Sequence, residues 1–586
     1  MNKNSKKQLS NRLARLLPAL EWARGYRGSL LASDMLAAVI VTIMLIPQSL
    51  AYAMLAGLPA EMGLYASILP LIAYALLGTS RTLSVGPVAV ASLMTATAVG
   101  EVATAGTLDY ANAAIAMATI SGLMLLVLGF LRFGFLANFL SHPVVSGFIT
   151  ASGIIIGLSQ LRHILGIQGH GDTIIELSAT LWNNLADINP LATATGVAAI
   201  AFLLWARRGL GPFLIRCGVA DRSAGIVAKA GPVFAILATT LASYFWDFGQ
   251  QGVALVGEVP RGLPQLGMPS FDLELWSQLA VPALLISIIG FVESVSVGKT
   301  LAAKRRQRIE PSQEMIALGA ANVASGLSGG FPVTGGFSRS VVNFDAGAET
   351  PAASIFAAIG IGLAAMLLTP VLYFLPKATL AATIIVAVSS LIDIAIIRRA
   401  WRYSIADFTA VITTIAATLL FGVELGVLAG ILASIGLQLH KTTRPHIAVV
   451  GAVAGTEHFR NIDRHNVITH RNLVSLRVDE SLYFANASYL EDYIYGFVAE
   501  MEGLQHVILQ CTAVNEIDLS ALEALEAINH RLREQGLTLN LSEVKGPVMD
   551  ALQNSDFLQH LSGKVYLTHH QAVKDLKLDE IEPYII

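Results

Sequence analysis

SVGPVAVASLM, residues 84–94, places the Gly-Pro pair Gly86 and Pro87 inside a long apolar region. A helix that crosses a bilayer rarely carries such a breaker unless its freed backbone groups are needed. A second stretch of this kind, GGFPVTGGFSRSVVN, follows at residues 329–343. Two interrupted segments in corresponding positions of two halves indicate the binding site of a transporter. Because half-helix N-termini offer free N–H groups and positive dipole ends, the pattern predicts an anion site near mid-membrane.

The composition of the 586-residue chain is that of a membrane protein, with 54% hydrophobic and 13% charged residues. Soluble proteins carry about 25% charged residues, so we expect most of this chain to lie in membrane lipid. The net charge of -3 is too small to favour nucleic acid or an acidic partner. Cys217 and Cys511 are far apart and predict neither a disulfide framework nor a metal site. The sequence shows no phosphate-binding loop, catalytic triad or metal-ligand cluster, so we expect no enzymatic activity and no cofactor.

Fourteen apolar segments are candidates for membrane spans, since a crossing helix needs about 20 mostly apolar residues. Segments 85–99 and 337–347 are too short to cross alone, and they contain the two breaks. Basic residues follow most even-numbered segments, which predicts cytoplasmic N- and C-termini, although the tenth segment ends in acidic residues. The candidates are 33–55, 62–78, 85–99, 111–131, 138–160, 188–206, 227–245, 277–301, 311–328, 337–347, 352–374, 378–396, 404–420 and 423–440.

The two short segments are the third and the tenth, so each is third in its own set of seven. This order predicts an α-helical membrane protein built as an inverted repeat of seven plus seven segments. Hydropathy and breakers carry the prediction, because the two halves show only weak sequence similarity. We accordingly assign residues 1–30 to a basic cytoplasmic N-terminal arm and residues 31–441 to a transmembrane transporter domain.

After about residue 444, charged residues and histidines return and no run is long enough to cross a membrane. Short β-rich runs alternate there with amphipathic helical ones, which predicts a soluble α/β domain over residues 445–586. The predicted orientation puts this domain in the cytoplasm. The strand and helix pairs are 473–478 with 488–501, 506–511 with 520–535, 537–544 with 547–553, and 564–567 with 570–576.

Glu293 lies near the middle of an apolar segment and is the only acid between Glu274 and Glu310. Burying a carboxylate there is costly, so we expect it to be paired, or protonated in some states. Glu293 therefore either carries a coupling proton or is a structural carboxylate paired with a buried base such as Arg339. Arg339 either adds positive charge to an anion site or braces Glu293.

Three uncharged polar residues are further candidates. Gln48 and Tyr52 are four residues apart in the first segment and share a helix face. That face either lines a polar cavity or makes interhelical hydrogen bonds, and residue type does not decide between them. Ser338 places a hydroxyl beside the start of the second half-helix, where it serves a bound anion or acts as the N-cap.

In the C-terminal domain, Ser520 and Glu523 match the capping-box pattern S-x-x-E. The pattern favours Ser520 as a helix N-cap. The alternative is a regulatory phosphorylation or partner-binding site at a helix N-terminus.

Several stretches together resemble the sulfate permease (SulP) family of anion transporters, over nearly the whole chain. They are DMLAAVIVTIMLIPQSLAYAMLAGLPAEMGLYAS, SVGPVAVASLM, FVESVSVGKTLA and PVTGGFSRSVVN, and the tail with NEIDLSAL resembles a STAS domain. The resemblance implies core and gate domains of the uracil-permease kind, a homodimer and an elevator-like transport movement. It places proton coupling on Glu293 and a regulatory site on Ser520, although the loop lacks the common Gly after that serine. The anion site that it implies comprises Gln48, Tyr52, Val88, Ala89, Phe337, Ser338 and Arg339.

These observations predict a proton-coupled anion symporter of the cell's plasma (inner) membrane, with sulfate as the first substrate and dicarboxylates next. The alternatives are a sodium-dependent bicarbonate transporter and an anion channel, exchanger or membrane sensor. The expected partners are the anion, the proton, membrane lipid, a second copy of the chain and a regulatory partner of the STAS domain.

Overall fold

The computed structural model describes residues 17–138, 142–169, 171, 173–220, 224–225, 227–228, 230–258, 262–367 and 369–577. The chain divides into two compact units, residues 1–434 and 435–586. Within the described ranges, seven helices are long and apolar enough to cross a membrane, and five shorter apolar helices accompany them. Each of the fourteen predicted segments overlaps described helical structure, although the third begins in a short strand at residues 85–86 and the twelfth is interrupted at residues 389–394.

The first half of the larger unit is helical apart from one short strand. Its longest helix runs through Pro47 without ending. Small 3₁₀ turns lie at Phe133–Asn138 and Leu185–Asp187, and a π-helical turn lies at Ala206–Leu210. The elements are α1 (Ala19–Arg24), α2 (Gly28–Leu55), α3 (Ala60–Tyr65), α4 (Leu69–Leu77), β1 (Val85–Gly86), α5 (Ala89–Val102), α6 (Leu108–Phe130), α7 (His142–Leu165), α8 (Ile174–Asn183), α9 (Pro190–Trp205), α10 (Gly211–Arg216) and α11 (Gly231–Trp246).

The second half repeats the arrangement of a long helix, a helix, a short strand and a half-helix. The elements α12, α13, β2 and α14 thus correspond to α2, α3 with α4, β1 and α5 of the first half, and each break lies at the short strand. Its elements are α12 (Leu273–Lys304), α13 (Pro311–Leu327), β2 (Thr334–Gly335), α14 (Phe337–Asp345), α15 (Ala352–Leu367), α16 (Thr369–Leu372), α17 (Lys377–Val388), α18 (Ala395–Tyr403), α19 (Ile405–Phe421) and α20 (Val423–Thr443).

The helices of the larger unit pack in two groups. In the core group, α13 packs against α4 and α6, α15 against α2 and α4, and α12 against α5 and α6. In the gate group, α7 packs against α9, α17, α18 and α19, while α11 packs against α9 and α17. Helix α2 also contacts α11 and α17, so it joins the two groups.

Small residues allow the closest approach in the core group. A Cβ atom at Gly122 on α6 would lie 2.6 Å from the backbone nitrogen of Val323 on α13. A Cβ atom at Gly319 on α13 would lie 2.8 Å from the carbonyl oxygen of Gly122. Helices in lipid associate through such close packing, because burial of apolar side chains gains little there.

The smaller unit is a six-stranded sheet in the order β4-β3-β5-β6-β7-β8. Strands β5 to β8 are parallel, and β3 pairs antiparallel with β4 and β5. Fully buried Leu476, Val507 and Leu539 form its centre, as the continuous apolar runs of parallel strands predict. β3 and β4 precede the first predicted strand. The elements are β3 (Ile447–Ala452), β4 (Phe459–Asn461), β5 (Leu473–Val478), α21 (Ala487–Glu500), β6 (His506–Gln510), α22 (Leu519–Glu534), β7 (Thr538–Ser542), α23 (Gly546–Gln553), α24 (Phe557–His560), β8 (Val565–Tyr566) and α25 (His569–Leu576).

Candidate functional site

The segments at the two sequence breaks lie side by side within the core group, as the paired strands β1 and β2. We call this pair of strands the crossing. β1 and β2 pair antiparallel, with Val85 opposite Gly335 and Gly86 opposite Thr334. Pro87 follows β1, and a proline within a helix loses a hydrogen bond and clashes with the preceding turn. Each strand runs into a half-helix, β1 into α5 and β2 into α14, so both helix N-termini lie beside the crossing.

Neither half-helix has a side-chain cap. The N-cap residues are Val88 and Gly336, and no side chain of theirs accepts a bond from the first turn. The first backbone bonds back to the N-caps come from Ser92 and Ser340. Among the described residues, no acceptor serves the backbone N–H groups of residues 89–91 and 337–339. These free donors and the two dipole ends make the crossing favourable for an anion.

Arg339 fastens the crossing. Its Nε donates to the carbonyl oxygen of Ser84 at 3.0 Å, and its Nη2 donates to those of Gly86 at 2.6 Å and Thr334 at 2.8 Å. The residue is only 2% exposed. Carbonyl oxygens hold the guanidinium in place without neutralising its charge, and Nη1 makes no hydrogen bond to any described residue.

Glu293 is not the ion-pair partner of Arg339. In the described part of the chain, no salt bridge within 4 Å joins the two, although they interact electrostatically at longer range. The carboxylate of Glu293 accepts no hydrogen bond from a described residue. It borders a cavity of about 20 Å³ that is otherwise apolar, with room for about one water molecule. The cavity lies between α12 of the core group and the helices α7 and α20, which contribute Val144, Val145, Phe148, Ile149 and Val427.

Tyr52 faces the same charges from α2. It is 8% exposed, and Arg339 and Glu293 are the charged groups with which its hydroxyl interacts electrostatically. Gln48 lies one turn earlier on α2 and is half-buried. No hydrogen bond to a described residue is made by the side chain of either one. The structure therefore brings Tyr52, Glu293 and Arg339 together.

The remaining sequence-predicted site residues lie in the first turns of the half-helices. Val88 and Ala89 are buried at the start of α5. Phe337 and Ser338 are exposed at the start of α14, and Phe337 is 51% exposed. The interpretation of Ser338 as N-cap is wrong, because the N-cap of α14 is Gly336 and Ser338 is its second helical residue. Its hydroxyl is thus not occupied in capping.

Sequence reasoning missed the side chains that hold the strands. The Ser294 hydroxyl, next to Glu293, lies 2.8 Å from the Thr334 hydroxyl and accepts from the Gly335 N–H at 2.8 Å. The amide of Asn322 accepts from the Val333 N–H at 2.9 Å and donates to its carbonyl oxygen at 2.8 Å. The only indication of these contacts in the sequence is that Ser294 and Asn322 are small polar residues on otherwise apolar helices.

Glu314 is a fully buried carboxylate of the larger unit, and it was also missed. Its Oε2 accepts from the Tyr74 hydroxyl at 2.5 Å, and its Oε1 accepts from the Thr79 N–H at 2.7 Å and the Ser80 N–H at 3.0 Å. Glu314 thereby joins the start of α13 to the segment between α4 and β1. Ser84, whose carbonyl oxygen accepts from Arg339, lies five positions after Thr79.

Ser520 lies exposed in the smaller unit, as the second residue of α22. The predicted capping box is wrong, because Asp518 is the N-cap and its side chain accepts from the Ala521 N–H at 2.9 Å. The second carboxylate oxygen of Asp518 accepts from the Phe484 N–H at 2.8 Å. The hydroxyl of Ser520 is therefore not required to cap the helix.

Comparison with known proteins gives matches along both units. Residues 31–414 match the sulfate permease family, and residues 464–572 match the STAS domain. The chain is 35% identical to probable sulfate transporter 4.2 of Arabidopsis thaliana, over 95% of this chain and 83% of that protein. It is 34% identical to sulfate transporter 4.1, chloroplastic, of the same plant, over 95% of this chain and 82% of that protein.

Solved structures share the fold. The murine Solute Carrier 26 family member A9 anion transporter superposes with a TM-score of 0.84 at 23% identity, covering 96% of this chain and 94% of that one. The transmembrane domain of the cyanobacterial bicarbonate transporter BicA superposes with a TM-score of 0.58 at 20% identity, covering 70% and 99%. The predicted fold is confirmed: a seven-plus-seven inverted repeat followed by a STAS domain.

Proposed function

Because the chain belongs to the sulfate permease family, we propose that it is a secondary active transporter that takes up sulfate together with a proton. The observation that carries the proposal is the meeting of two uncapped half-helices at an arginine that forms no ion pair with a carboxylate of the described residues. Buried charge inside a membrane is costly and is normally retained for function. A bound dianion would satisfy the free amides and balance Arg339.

The proposed anion site follows from these donors. Backbone N–H groups of residues 89–91 and 337–339 offer hydrogen bonds from both sides of the crossing. The hydroxyls of Tyr52 and Ser338 and the amide of Gln48 add side-chain donors. Val88, Ala89 and Phe337 form the apolar walls. Sulfate, with its two charges and oxygen acceptors, suits such a site, and the names of the plant relatives support sulfate over dicarboxylates.

Glu293 is proposed to carry the coupling proton. Its carboxylate is unpaired among the described residues, faces a small apolar cavity and interacts electrostatically with Arg339. Protonation would cancel its charge while a dianion lies nearby, so the loaded site would cross the low-dielectric region at a smaller electrostatic cost. Proton and anion would then strengthen each other's binding reciprocally.

The two packing groups support an elevator movement, in which the core group carries the bound anion past the gate group. Glu293 lies where the two groups meet, since its cavity is formed by α12, α7 and α20. We further propose a homodimer in the plasma membrane with both termini in the cytoplasm. Residues 1–30 would form the arm, 31–441 the transporter and 445–586 the STAS domain, with exposed Ser520 as a site for regulation or partner binding.

Uptake into proteoliposomes tests the proposal. The purified chain is reconstituted, and labelled sulfate, bicarbonate and a dicarboxylate are supplied with an imposed inward proton gradient, an inward sodium gradient or neither. We expect sulfate to accumulate with the proton gradient alone. Accumulation of bicarbonate that needs sodium and ignores pH would favour the bicarbonate alternative. Sulfate flux that never exceeds equilibrium under any gradient would favour a channel or exchanger.

A further inference from the structure

Helix α18 (Ala395–Tyr403), with the sequence AIIRRAWRY, connects α17 to α19 in the gate group. Its buried residues, Ile396 and Ala400, are one turn apart and face the protein. The Trp401 ring packs edge-on against Phe408 of α19 at 4.7 Å between centroids, which pins the helix in place. Trp401 is nevertheless 58% exposed and Tyr403 is 89% exposed.

The helix has an aromatic flank and a basic flank on either side of its buried face. At 3.6 residues per turn, Ile397 and Trp401 fall on one flank. Arg399 falls on the other, and Arg402 and Arg398 continue from it onto the side opposite the buried face. All three arginines are exposed. Within the described ranges, none of the three makes an ion pair or a hydrogen bond. Exposed aromatic rings beside basic side chains are typical of helices at a membrane interface.

A second basic and aromatic segment lies at the same end of the gate group. The π-helical turn after α9 carries Arg207, whose Nη1 donates to the carbonyl oxygen of Val386 near the end of α17 at 3.3 Å. Arg208 and Arg216 are exposed nearby in sequence, and the rings of Trp205 and Phe213 lie tilted against each other with their centroids 6.0 Å apart. We call the six arginines at this end the basic belt: Arg207, Arg208, Arg216, Arg398, Arg399 and Arg402.

The opposite end of the same helices carries exposed aromatic residues. Helix α11 ends in exposed Tyr244, Phe245 and Trp246, followed by Asp247. Since Asn189, just before α9, donates to the carbonyl oxygen of Gln251, shortly after α11, these rings lie at the end away from the basic belt. Aromatic residues at both ends are typical of the two membrane interfaces. The six exposed arginines lie at one of them, whereas the half-buried Arg162 and Lys377 lie at the other.

We propose that the basic belt binds the headgroups of anionic phospholipids and so fixes the gate group to one leaflet. Arginine offers several donors to phosphate oxygens, and an aromatic ring at the headgroup depth contacts the acyl chains. Each arginine near an anionic membrane surface strengthens the attachment to it. A gate group held to the leaflet gives the moving core group a stationary partner, so the bound lipid supports transport rate.

Lipid retention measures this binding independently of transport. The full chain is purified in mixed micelles that contain equal amounts of phosphatidylglycerol and phosphatidylcholine, and native mass spectrometry counts the lipids that remain bound. The unmodified protein should retain phosphatidylglycerol selectively, and rising salt should displace it. The variant R398Q/R399Q/R402Q should bind phosphatidylglycerol roughly ten- to a hundredfold more weakly, with phosphatidylcholine unchanged.

Two controls separate lipid binding from lost folding or lost net charge. The variant R398K/R399K/R402K keeps the charge and should keep most of the phosphatidylglycerol. The variant R460Q/R464Q/R533Q removes as many exposed positive charges from the smaller unit and should bind lipid normally. Equal retention by the α18 glutamine variant and the unmodified protein would overturn the proposal, as would equal loss in both glutamine variants. Displacement of the lipid by inorganic phosphate alone would also overturn it, since phosphate lacks acyl chains.

Discussion

The Nη2 atom of Arg339 donates to the carbonyl oxygen of Gly86 at 2.6 Å, across 253 positions of sequence. Gly86 belongs to the first break and Arg339 to the half-helix that follows the second. The same nitrogen donates to the carbonyl oxygen of Thr334 at 2.8 Å. One side chain therefore joins the two breaks and brings positive charge to the start of both half-helices. The candidate site exists only when the two halves of the larger unit are packed together.

Arg339→Lys is expected to abolish most sulfate uptake although it keeps the charge. A lysine cannot reach three carbonyl oxygens from a rigid fork, and each lost hydrogen bond of a charged group costs roughly 1.5–3 kcal/mol. Uptake and thermal unfolding in detergent should both fall. Arg81→Lys, an exposed arginine close in sequence to β1, is the matched control and should change neither. Normal uptake by Arg339→Lys would contradict the role given to the guanidinium.

Tyr52→Phe is expected to raise the KM for sulfate about ten- to a hundredfold, because one hydrogen bond to a charged ligand is lost. Expression and thermal stability should change little. Tyr74→Phe is the contrasting variant, since its hydroxyl donates to buried Glu314 and not to the site. It should lower stability with an unchanged KM. Ser338→Ala should behave as Tyr52→Phe does; an unaltered KM in either one would remove that side chain from the anion site.

Glu293→Gln is expected to separate anion transport from proton coupling. Glutamine resembles the protonated carboxyl group, so the variant should bind sulfate and exchange it across the vesicle membrane. It should no longer accumulate sulfate under an inward proton gradient. Counterflow of labelled sulfate and gradient-driven uptake measure the two properties side by side. A variant that still concentrates sulfate in response to pH would show that the coupling proton binds elsewhere.

Glu314→Ala is expected to destabilise the larger unit by about 2–5 kcal/mol, because buried donors of Tyr74, Thr79 and Ser80 lose their acceptor. The loss should appear as a lower thermal unfolding temperature in detergent. Glu310→Ala, an exposed N-cap of the same helix, should cost about 1 kcal/mol. If the two variants proved equally stable, the buried network would not be a structural element.

The STAS unit is expected to lose stability as the pH falls from about 6.5 to 4. Burial lowers the pKa of His569 to about 4, against the weaker opposing effect of Glu543. Between pH 6.5 and 4, His569 is therefore protonated in the unfolded chain but not in the folded unit. The free energy of unfolding is at its full value above pH 6.5, and up to about 3 kcal/mol of it is lost as the pH falls through this window. Burial also lowers the pKa of His470 and His506, which adds to the slope.

Hydrogen exchange of the STAS unit in the full chain, followed against pH, measures this loss. His569→Gln should remove the largest share of the pH dependence. His458→Gln, which alters an exposed histidine of the same unit, should leave it unchanged. A slope unaffected by His569→Gln would assign the acid sensitivity to other groups.

The membrane architecture could be read from the sequence because lipid imposes simple rules on a chain. Segment length, apolar character and basic loops located the spans, and the Gly-Pro breaks located the two half-helices. The paired order of the breaks predicted the inverted repeat. The parallel strands of the C-terminal domain were visible as short apolar runs, whereas β3 and β4 were not predicted, although the IAVVGA run of β3 is also apolar.

The partners of the polar side chains depended on the tertiary structure. Sequence reasoning left open whether Arg339 braces Glu293, and the structure binds Arg339 to the carbonyl oxygens of Ser84, Gly86 and Thr334 instead. In the structure, Gly336 and not Ser338 is the N-cap of α14, and Asp518 and not Ser520 is the N-cap of α22.

The physical reason is the range of each interaction. Hydropathy and backbone breaking are local properties, summed over neighbouring residues, and a single sequence displays them. A hydrogen bond needs two atoms within about 3 Å, and in this protein the decisive pairs lie more than 200 positions apart. Only the packing of the two repeats brings Arg339, Tyr52, Glu293 and the free amides of both half-helices to one place.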